Sequence, residues 1–167
     1  PANKSYTHRA VFLAALSDGK SIVKKILRSN DTIATINACR GFGIEVEEIE
    51  NNVTIKNTIG ETVQGSIINA ENSGTTIRIA IAIAALSGGT TTLTGDESLR
   101  KRPMRPILDA LNSMGVKTES EEGKPPIQIN GKIQGNEVTI NGNISSQFIS
   151  ALLIIAPRLP EGLITVS

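Results

Sequence analysis

The sequence predicts a mixed α/β (α+β) fold with helices packed on sheets, built as a pseudo-threefold domain of repeated units. Three observations predict it. Apolar residues make up 39% of the 167-residue chain, enough for a packed core in one domain or two small ones. Apolar runs of helical length alternate with β-branched runs of strand length. The chain also resembles itself. Ala14-Ala15-Leu16-Ser17-Asp18-Gly19 recurs 70 residues later as Ala84-Ala85-Leu86-Ser87-Gly88-Gly89. Asn37-Ala38 before Gly43-Ile44 recurs as Asp109-Ala110 before Gly115-Val116. A weaker third copy runs from Ser145 through Ala156 and Gly162 to Ile164-Thr165-Val166, so the sequence ends part-way through a unit.

Each unit opens with small or hydroxyl residues that lead into an apolar helix closed by a glycine loop: Tyr6–Leu16, Thr75–Leu86 and Gln147–Ile155. A β-branched strand follows, at Ser21–Ile26, Thr90–Thr94 and Leu163–Val166. The second helix spans Thr32–Arg40, with Asp31 placed to cap it, and Pro103–Ser113, with proline in its first turn. Two short strands close the unit, Glu45–Ile49 with Val53–Lys56 and Val116–Glu119 with Ile127–Asn130. The order is αβαββ, with Thr62–Ile68 or Glu137–Ile140 as a candidate leading strand. The units run approximately over 1–60, 61–131 and 132–167, the last incomplete.

Composition excludes several functions. Seventeen Lys and Arg against sixteen Asp and Glu give a net charge of +1, so no overall field draws polyanions. Tyr6, Phe12, Phe42 and Phe148 are the only aromatic residues, too few to stack nucleic-acid bases. Cys39 and His8 are the only cysteine and histidine, which removes disulfides and Cys- or His-rich metal sites and leaves little room for a Ser/His/Asp triad. Cys39 reads as a core or rim thiol, and His8 as a structural or rim residue. The apolar run from Ile77 to Leu86 is interrupted by Arg78 and too short to cross a bilayer. No signal peptide is visible, so the expected compartment is the cytosol. The opening Pro1-Ala2-Asn3, without Met, reads as a processed end or a boundary.

The chemistry collects at helix starts. Lys4-Ser5, Asn72-Ser73-Gly74-Thr75 and Ser145-Ser146-Gln147 precede or open the first helix of each unit. A helix start offers free N–H groups and partial positive charge, and Gly74 lets backbone approach an anion closely. A Ser or Thr there is by itself an ordinary cap. Three such starts, with Lys4 and Arg9 at one of them, are expected to converge on one face. Arg102, ahead of Pro103 in the basic cluster Arg100-Lys101-Arg102-Pro103-Met104-Arg105, suits bidentate clamping of phosphate or carboxylate. Arg78 needs a partner if buried, with Asp31 or a ligand anion as candidates. No pair of carboxylates is spaced for acid–base work, so anion binding is legible and a general base is not.

Four ordered motifs carry a resemblance that covers essentially the whole chain. They are Lys4-Ser5-Tyr6-Thr7-His8-Arg9-Ala10, Asn72-Ser73-Gly74-Thr75-Thr76-Ile77-Arg78, Leu93-Thr94-Gly95-Asp96-Glu97 with Arg102-Pro103-Met104, and Ser145-Ser146-Gln147-Phe148. Together they resemble the N-terminal part of the 5-enolpyruvylshikimate-3-phosphate synthase (3-phosphoshikimate 1-carboxyvinyltransferase) family. The resemblance implies two domains of three βαβαββ units each, with ligands bound between them. It implies transfer of the carboxyvinyl group of phosphoenolpyruvate to the 5-hydroxyl of shikimate 3-phosphate, on the route to chorismate and the aromatic amino acids.

By the same resemblance Lys4 contacts the donor and is the one catalytic candidate, while Ser5 and Arg9 hold the carboxylate and hydroxyl side of shikimate. Gly74 and Arg102 take the donor phosphate, Ser145 and Ser146 the 3-phosphate, Gln147 lies between the ligands, and Asn72 lines the pocket. It implies a cytoplasmic monomer that needs no metal or organic cofactor and whose partners are these two substrates, not nucleic acid or membrane. The acid and base residues fall in a C-terminal domain absent from this sequence, so this half alone is expected to be inactive. Ala2-Asn3, Glu71 and Ile79 depart from the family pattern, which more often has Gly-Asp or Gly-Ser, Gly and Pro at these places. One alternative is a non-catalytic phosphoshikimate or anion-binding module. Another is the sister UDP-N-acetylglucosamine enolpyruvyl transferase class, which uses a loop cysteine near the basic segment. Cys39 lies in the first unit, and Ser145-Ser146-Gln147-Phe148 fits the shikimate enzyme.

Overall fold

In the computed structural model, which describes residues 2–57, 66–140 and 145–161, Asn3 starts the first helix by accepting the Tyr6 N–H on its side chain. That helix, α1 (Lys4–Leu16), leads to β1 (Gly19–Val23). The strand ends earlier than the expected Ile26 because Lys25 turns left-handed, φ 54°, and its N–H is taken by Asn52. Helix α2 (Asn30–Gly41) is capped by Ser29, which exchanges hydrogen bonds with Thr32 in a capping box. Asp31, expected as the cap, instead stands in the first turn, where its charge faces the positive end of the helix. Strands β2 (Glu45–Ile49) and β3 (Asn52–Asn57) complete an antiparallel sheet in the order β1-β3-β2. Alternation along β3 turns Val53, Ile55 and Asn57 inward and leaves Lys56 outside.

Among the described residues the second unit repeats this arrangement with one strand and one short helix more. Its elements are β4 (Ser66–Asn69), α3 (Gly74–Ala84), β5 (Thr90–Thr94), α4 (Glu97–Arg100), α5 (Arg105–Ser113), β6 (Lys117–Glu121) and β7 (Lys124–Asn130). The sheet order is β4-β5-β7-β6, so β5-β7-β6 matches β1-β3-β2, and β4 lies parallel on the far side of β5. Of the expected leading strands, the first is present at Ser66–Asn69, and positions 62–65 lie outside the described residues. Glu137–Ile140 forms no strand, although Val138 and Ile140 are buried against the core. The expected helix Pro103–Ser113 starts at Arg105, because the Met104 N–H is drawn to the Gly123 carbonyl at 2.7 Å. The short α4, which the sequence reading missed, is capped by Asp96 at the Leu99 N–H. The third unit contributes α6 (Ser146–Ile155) and a 3₁₀ turn at Ala156–Arg158. The expected strand Leu163–Val166 lies outside the described residues.

Helix α3 is the centre of the core. Its sequence GTTIRIAIAIA has almost no polar face, and it packs against α1, α2, α5, α6 and β5. Ile77, Ile79 and Ile81 are buried along it, and α6, whose Phe148, Ala151 and Leu152 are buried, packs on it from the third unit. Cys39 is fully buried in α2, and burial pushes its thiol up to about 12, which makes it an inert core residue. No described helix is long and apolar enough to cross a membrane.

Two glycines give a test of this packing. A Cβ on Gly95 would lie 2.5 Å from the Glu71 carbonyl oxygen and collide with Leu99 Cδ2, whereas one on Gly88 would meet nothing within 4 Å. Gly95→Ala should therefore cost about 1–3 kcal/mol and Gly88→Ala almost nothing. Urea midpoints at unchanged slope check both.

Candidate functional site

The start of α3 is built on a loop that leaves β4. Glu71 takes a left-handed conformation, φ 51°, held by its N–H on Asn69 Oδ1, and its carbonyl accepts the Asp96 N–H. This turn sends Asn72 toward the α4 segment, where Asn72 Nδ2 donates to Asp96 Oδ2 at 2.7 Å. The other side of the same amide, Oδ1, accepts from Arg102 Nη2 at 2.8 Å. Arg102 is thus held beside Gly74, the first residue of α3. The hydrogen bonds from the Leu99 N–H and Asn72 hold the Asp96 carboxyl below its usual range. The Glu71 carboxylate accepts from Asn69 Nδ2.

Arg78 covers the same spot from within the helix. Helical side chains lean toward the N-terminus, so the residue four positions after Gly74 lies over it. A Cβ on Gly74 would come within 2.8 Å of Arg78 Nη1 and 3.1 Å of Arg102 Nη1. Two guanidinium groups therefore flank a helix start at the place where the side chain is missing. Arg78 is partnered neither by Asp31 nor by any other carboxylate among the described residues. Its Nη1 donates to Gln147 Oε1 at 2.6 Å, and its Cζ lies 5.2 Å from the centre of the Phe148 ring. Burial first, and then Arg102, push the Arg78 guanidinium below its ordinary value. Its Nε is buried without a hydrogen-bond partner.

Gln147 belongs to the start of α6, where Ser145 Oγ caps the Gln147 N–H and the Ser146 carbonyl accepts from Ser150 Oγ. At the start of α1, Lys4 Nζ pairs with Asp31 Oδ2 at 2.7 Å, and Ser5 offers its carbonyl to Arg9 Nη1. Arg9 Nη2 reaches Ser150 Oγ at 3.5 Å, which ties α1 to α6. The candidate residues thus fall into two groups. Asn72, Gly74, Arg102 and Gln147 are joined through Arg78, with Ser145 and Ser146 beside Gln147. Lys4, Ser5 and Arg9 form the second group, connected to the first through Ser150 and Asp31. Among the described residues no hydrogen bond or ion pair links Lys4 or Ser5 directly to Gly74 or Arg102.

A buried polar chain, missed in the sequence reading, fixes these helix starts relative to one another. His8 Nδ1 lies 2.6 Å from Thr35 Oγ1, Thr35 Oγ1 lies 2.7 Å from Thr76 Oγ1, and Thr76 Oγ1 donates to Ser73 Oγ at 2.7 Å. It runs from α1 through α2 to the cap of α3. Threonines at Thr35 and Thr76, at buried positions of two helices, were the available signal. The arrangement can hold anions: two guanidinium groups and one helix start meet, and among the described residues no carboxylate forms an ion pair with either Arg.

His8 also makes stability depend on pH. Burial, outweighing the attraction of Asp31, lowers its imidazole from 6.5 to about 4. The unfolded chain then binds the proton more readily than the folded one. The His8 contribution is complete above pH 6.5 and is lost as pH falls toward 4, by up to about 3 kcal/mol. His8→Asn should flatten this acid limb in thermal unfolding scans between pH 7 and 4. An unchanged slope would assign the limb to carboxylates.

The family model described as EPSP synthase (3-phosphoshikimate 1-carboxyvinyltransferase) matches residues 1–167. The chain is 56% identical to the 3-phosphoshikimate 1-carboxyvinyltransferase of Nitrosopumilus maritimus over 163 residues, covering 98% of this chain and 39% of that protein. It is 48% identical to the protein of the same name from Methanothermobacter thermautotrophicus, again covering 39% of that protein. Among solved structures, EPSP synthase from Acinetobacter baumannii superposes with a TM-score of 0.82 at 29% identity, over 93% of this chain and 37% of that one. The chain therefore spans about 39% of the length of the curated relatives it matches. The matching fold, the repeated helix starts and the unneutralised arginines agree, and the chain belongs to the EPSP synthase (3-phosphoshikimate 1-carboxyvinyltransferase) family.

Proposed function

We propose that this chain provides the substrate-binding face for transfer of a carboxyvinyl group from phosphoenolpyruvate to the 5-hydroxyl of shikimate 3-phosphate. The reading is carried by one observation: Arg78 and Arg102 meet over the side-chain-free start of α3 with no carboxylate paired to either among the described residues. In this reading the donor phosphate sits at Gly74 and Arg102. The 3-phosphate of the acceptor takes Ser145 and Ser146, its carboxylate side takes Ser5 and Arg9, Gln147 stands between the two ligands, and Asn72 keeps Arg102 in place.

Lys4 reaches the donor by leaving Asp31. That exchange is cheap, because the Lys4 side chain is 54% exposed and such pairs are worth about 1 kcal/mol or less. The reaction joins the acceptor 5-oxygen to C2 of the donor and then expels phosphate as the enol ether forms. This half contributes by orienting two anions and by placing fixed positive charge where negative charge shifts. Proton transfer is assigned to a second domain of the longer protein. The proposed setting is the cytosol, as suits two phosphorylated metabolites, with the protein acting as a monomer. The chain is the partial first domain, in units of about 1–60, 61–131 and 132–167.

A titration of the chain with shikimate 3-phosphate, followed by amide shifts, tests the reading. Saturable shifts at Ser5, Arg9 and Ser145–Gln147 are expected, and a well-dispersed spectrum that does not respond would refute a preformed half-site. Arg9→Ala should weaken this binding by about 2–4 kcal/mol if the guanidinium meets a desolvated carboxylate. Arg102→Ala in the longer protein should spare phosphoshikimate affinity and impair use of phosphoenolpyruvate. Equal loss of both ligands would make Arg102 structural.

A further inference from the structure

We infer that His8 is a positioning residue for the start of α3, acting on Ser73 and Gly74 through a one-way chain of buried hydroxyl groups. The ligand part of this inference rests on the function proposed above, and the placement of α3 does not.

The direction of the chain follows from counting protons. Each hydroxyl has one to give. Thr76 Oγ1 donates to Ser73 Oγ at 2.7 Å, a far better contact than its 3.3 Å approach to the Asp31 carbonyl. Its 2.7 Å contact with Thr35 Oγ1 must then be filled by the Thr35 proton, which prefers this to the Asp31 carbonyl at 3.4 Å. With that proton committed, Thr35 Oγ1 can only accept from His8 Nδ1 at 2.6 Å. The imidazole is therefore the Nδ1–H tautomer. His8 Nε2 is left as a bare nitrogen with no partner, in a side chain only 1% exposed.

An ordinary core residue at this position would be apolar, because an unpaired buried nitrogen is costly. What the imidazole supplies instead is a donor that sets the proton order of Thr35, Thr76 and Ser73. Ser73 is the cap of α3 and carries the Thr76 N–H on the same oxygen, so its placement directs the peptide that enters Gly74. The charged groups acting on the ring are Asp31 from α2 and Lys4 and Arg9 from its own helix. None of them replaces the Nδ1 donor.

His8 is the only histidine, so its ¹⁵N-labelled imidazole can be read without overlap in this chain. The expected spectrum shows a protonated Nδ1 and an unprotonated Nε2 at pH 7, and a protonated Nε2 with bare Nδ1 overturns the inference. His8→Leu fills the volume without the donor, and His8→Asn restores a donor at the Nδ1 position. His8→Leu should displace the Ser73, Gly74 and Thr76 amide resonances and weaken phosphoenolpyruvate binding about tenfold, the loss of roughly one buried hydrogen bond. His8→Asn should stay within about twofold of the parent chain, a rescue that a purely volume-filling role does not predict.

Thr35→Val breaks the chain in its middle with little change of shape. It should reproduce the same amide displacement without adding to that of His8→Leu, and it decides the matter alone if His8→Leu does not fold. Unmoved Gly74 and Ser73 amides in a folded variant overturn the inference and leave the proposed function standing. If the parent chain binds neither phosphoenolpyruvate nor inorganic phosphate, the proposed function fails, and the tautomer and amide shifts still decide whether His8 places α3.

Discussion

Holding two like charges at one helix start is the constraint around which the structure is arranged. Arg78 and Arg102 are both brought to Gly74, and burial first, with Arg102 beside it second, depresses Arg78. The protein keeps them there with neutral acceptors: an asparagine amide for Arg102, and a glutamine amide with a phenyl face for Arg78. A carboxylate in either place would hold the arginine better and would cancel the charge that makes the spot useful. Asp96 spends its hydrogen bonds on Asn72 and the α4 backbone and acts on Arg102 only through space.

The start of α1 follows a different design. Lys4 is paired with Asp31 in an exposed position, so this end is self-neutralised and open to exchange. The two ends are coupled through α2, where the Asp31 carboxylate meets Lys4 of α1 and Thr35 Oγ1 meets Thr76 Oγ1 of α3. Ser150 adds a second link, since it takes Arg9 from α1 and returns its own proton to the start of α6. Buried hydroxyls and one imidazole between these helices supply fixed distances in a region where apolar packing alone would allow sliding.

Much of this was legible from sequence, because repeated local patterns encode repeated local structure. The αβαββ order, the helix starts and the role of Gly74 as an opening follow from periodicity, caps and the absence of a side chain. The partner of Arg78 was not legible. Phe148 and Gln147 lie far along the chain, and only the docking of α6 against α3 brings them to it. Spacing did hold the signal that Arg78 leans back over Gly74, since four residues make one helical turn. The cap of α2 was misread because Ser29 and Asp31 are both good caps, and Thr32 decides between them by completing the box. Helix α5 was placed too early because the tie from Met104 to Gly123 is a tertiary bond that no local pattern records.

The two sheets differ by the strand beside their first member. β5 is bonded on both sides, by β4 and β7, whereas β1 is bonded only to β3 among the described residues. Helix α1 rests on that first sheet, against β1 and β3, whereas α3 rests on β5. The start of α3 is therefore carried beside a strand pinned on both sides, and the two guanidinium groups at Gly74 share that support.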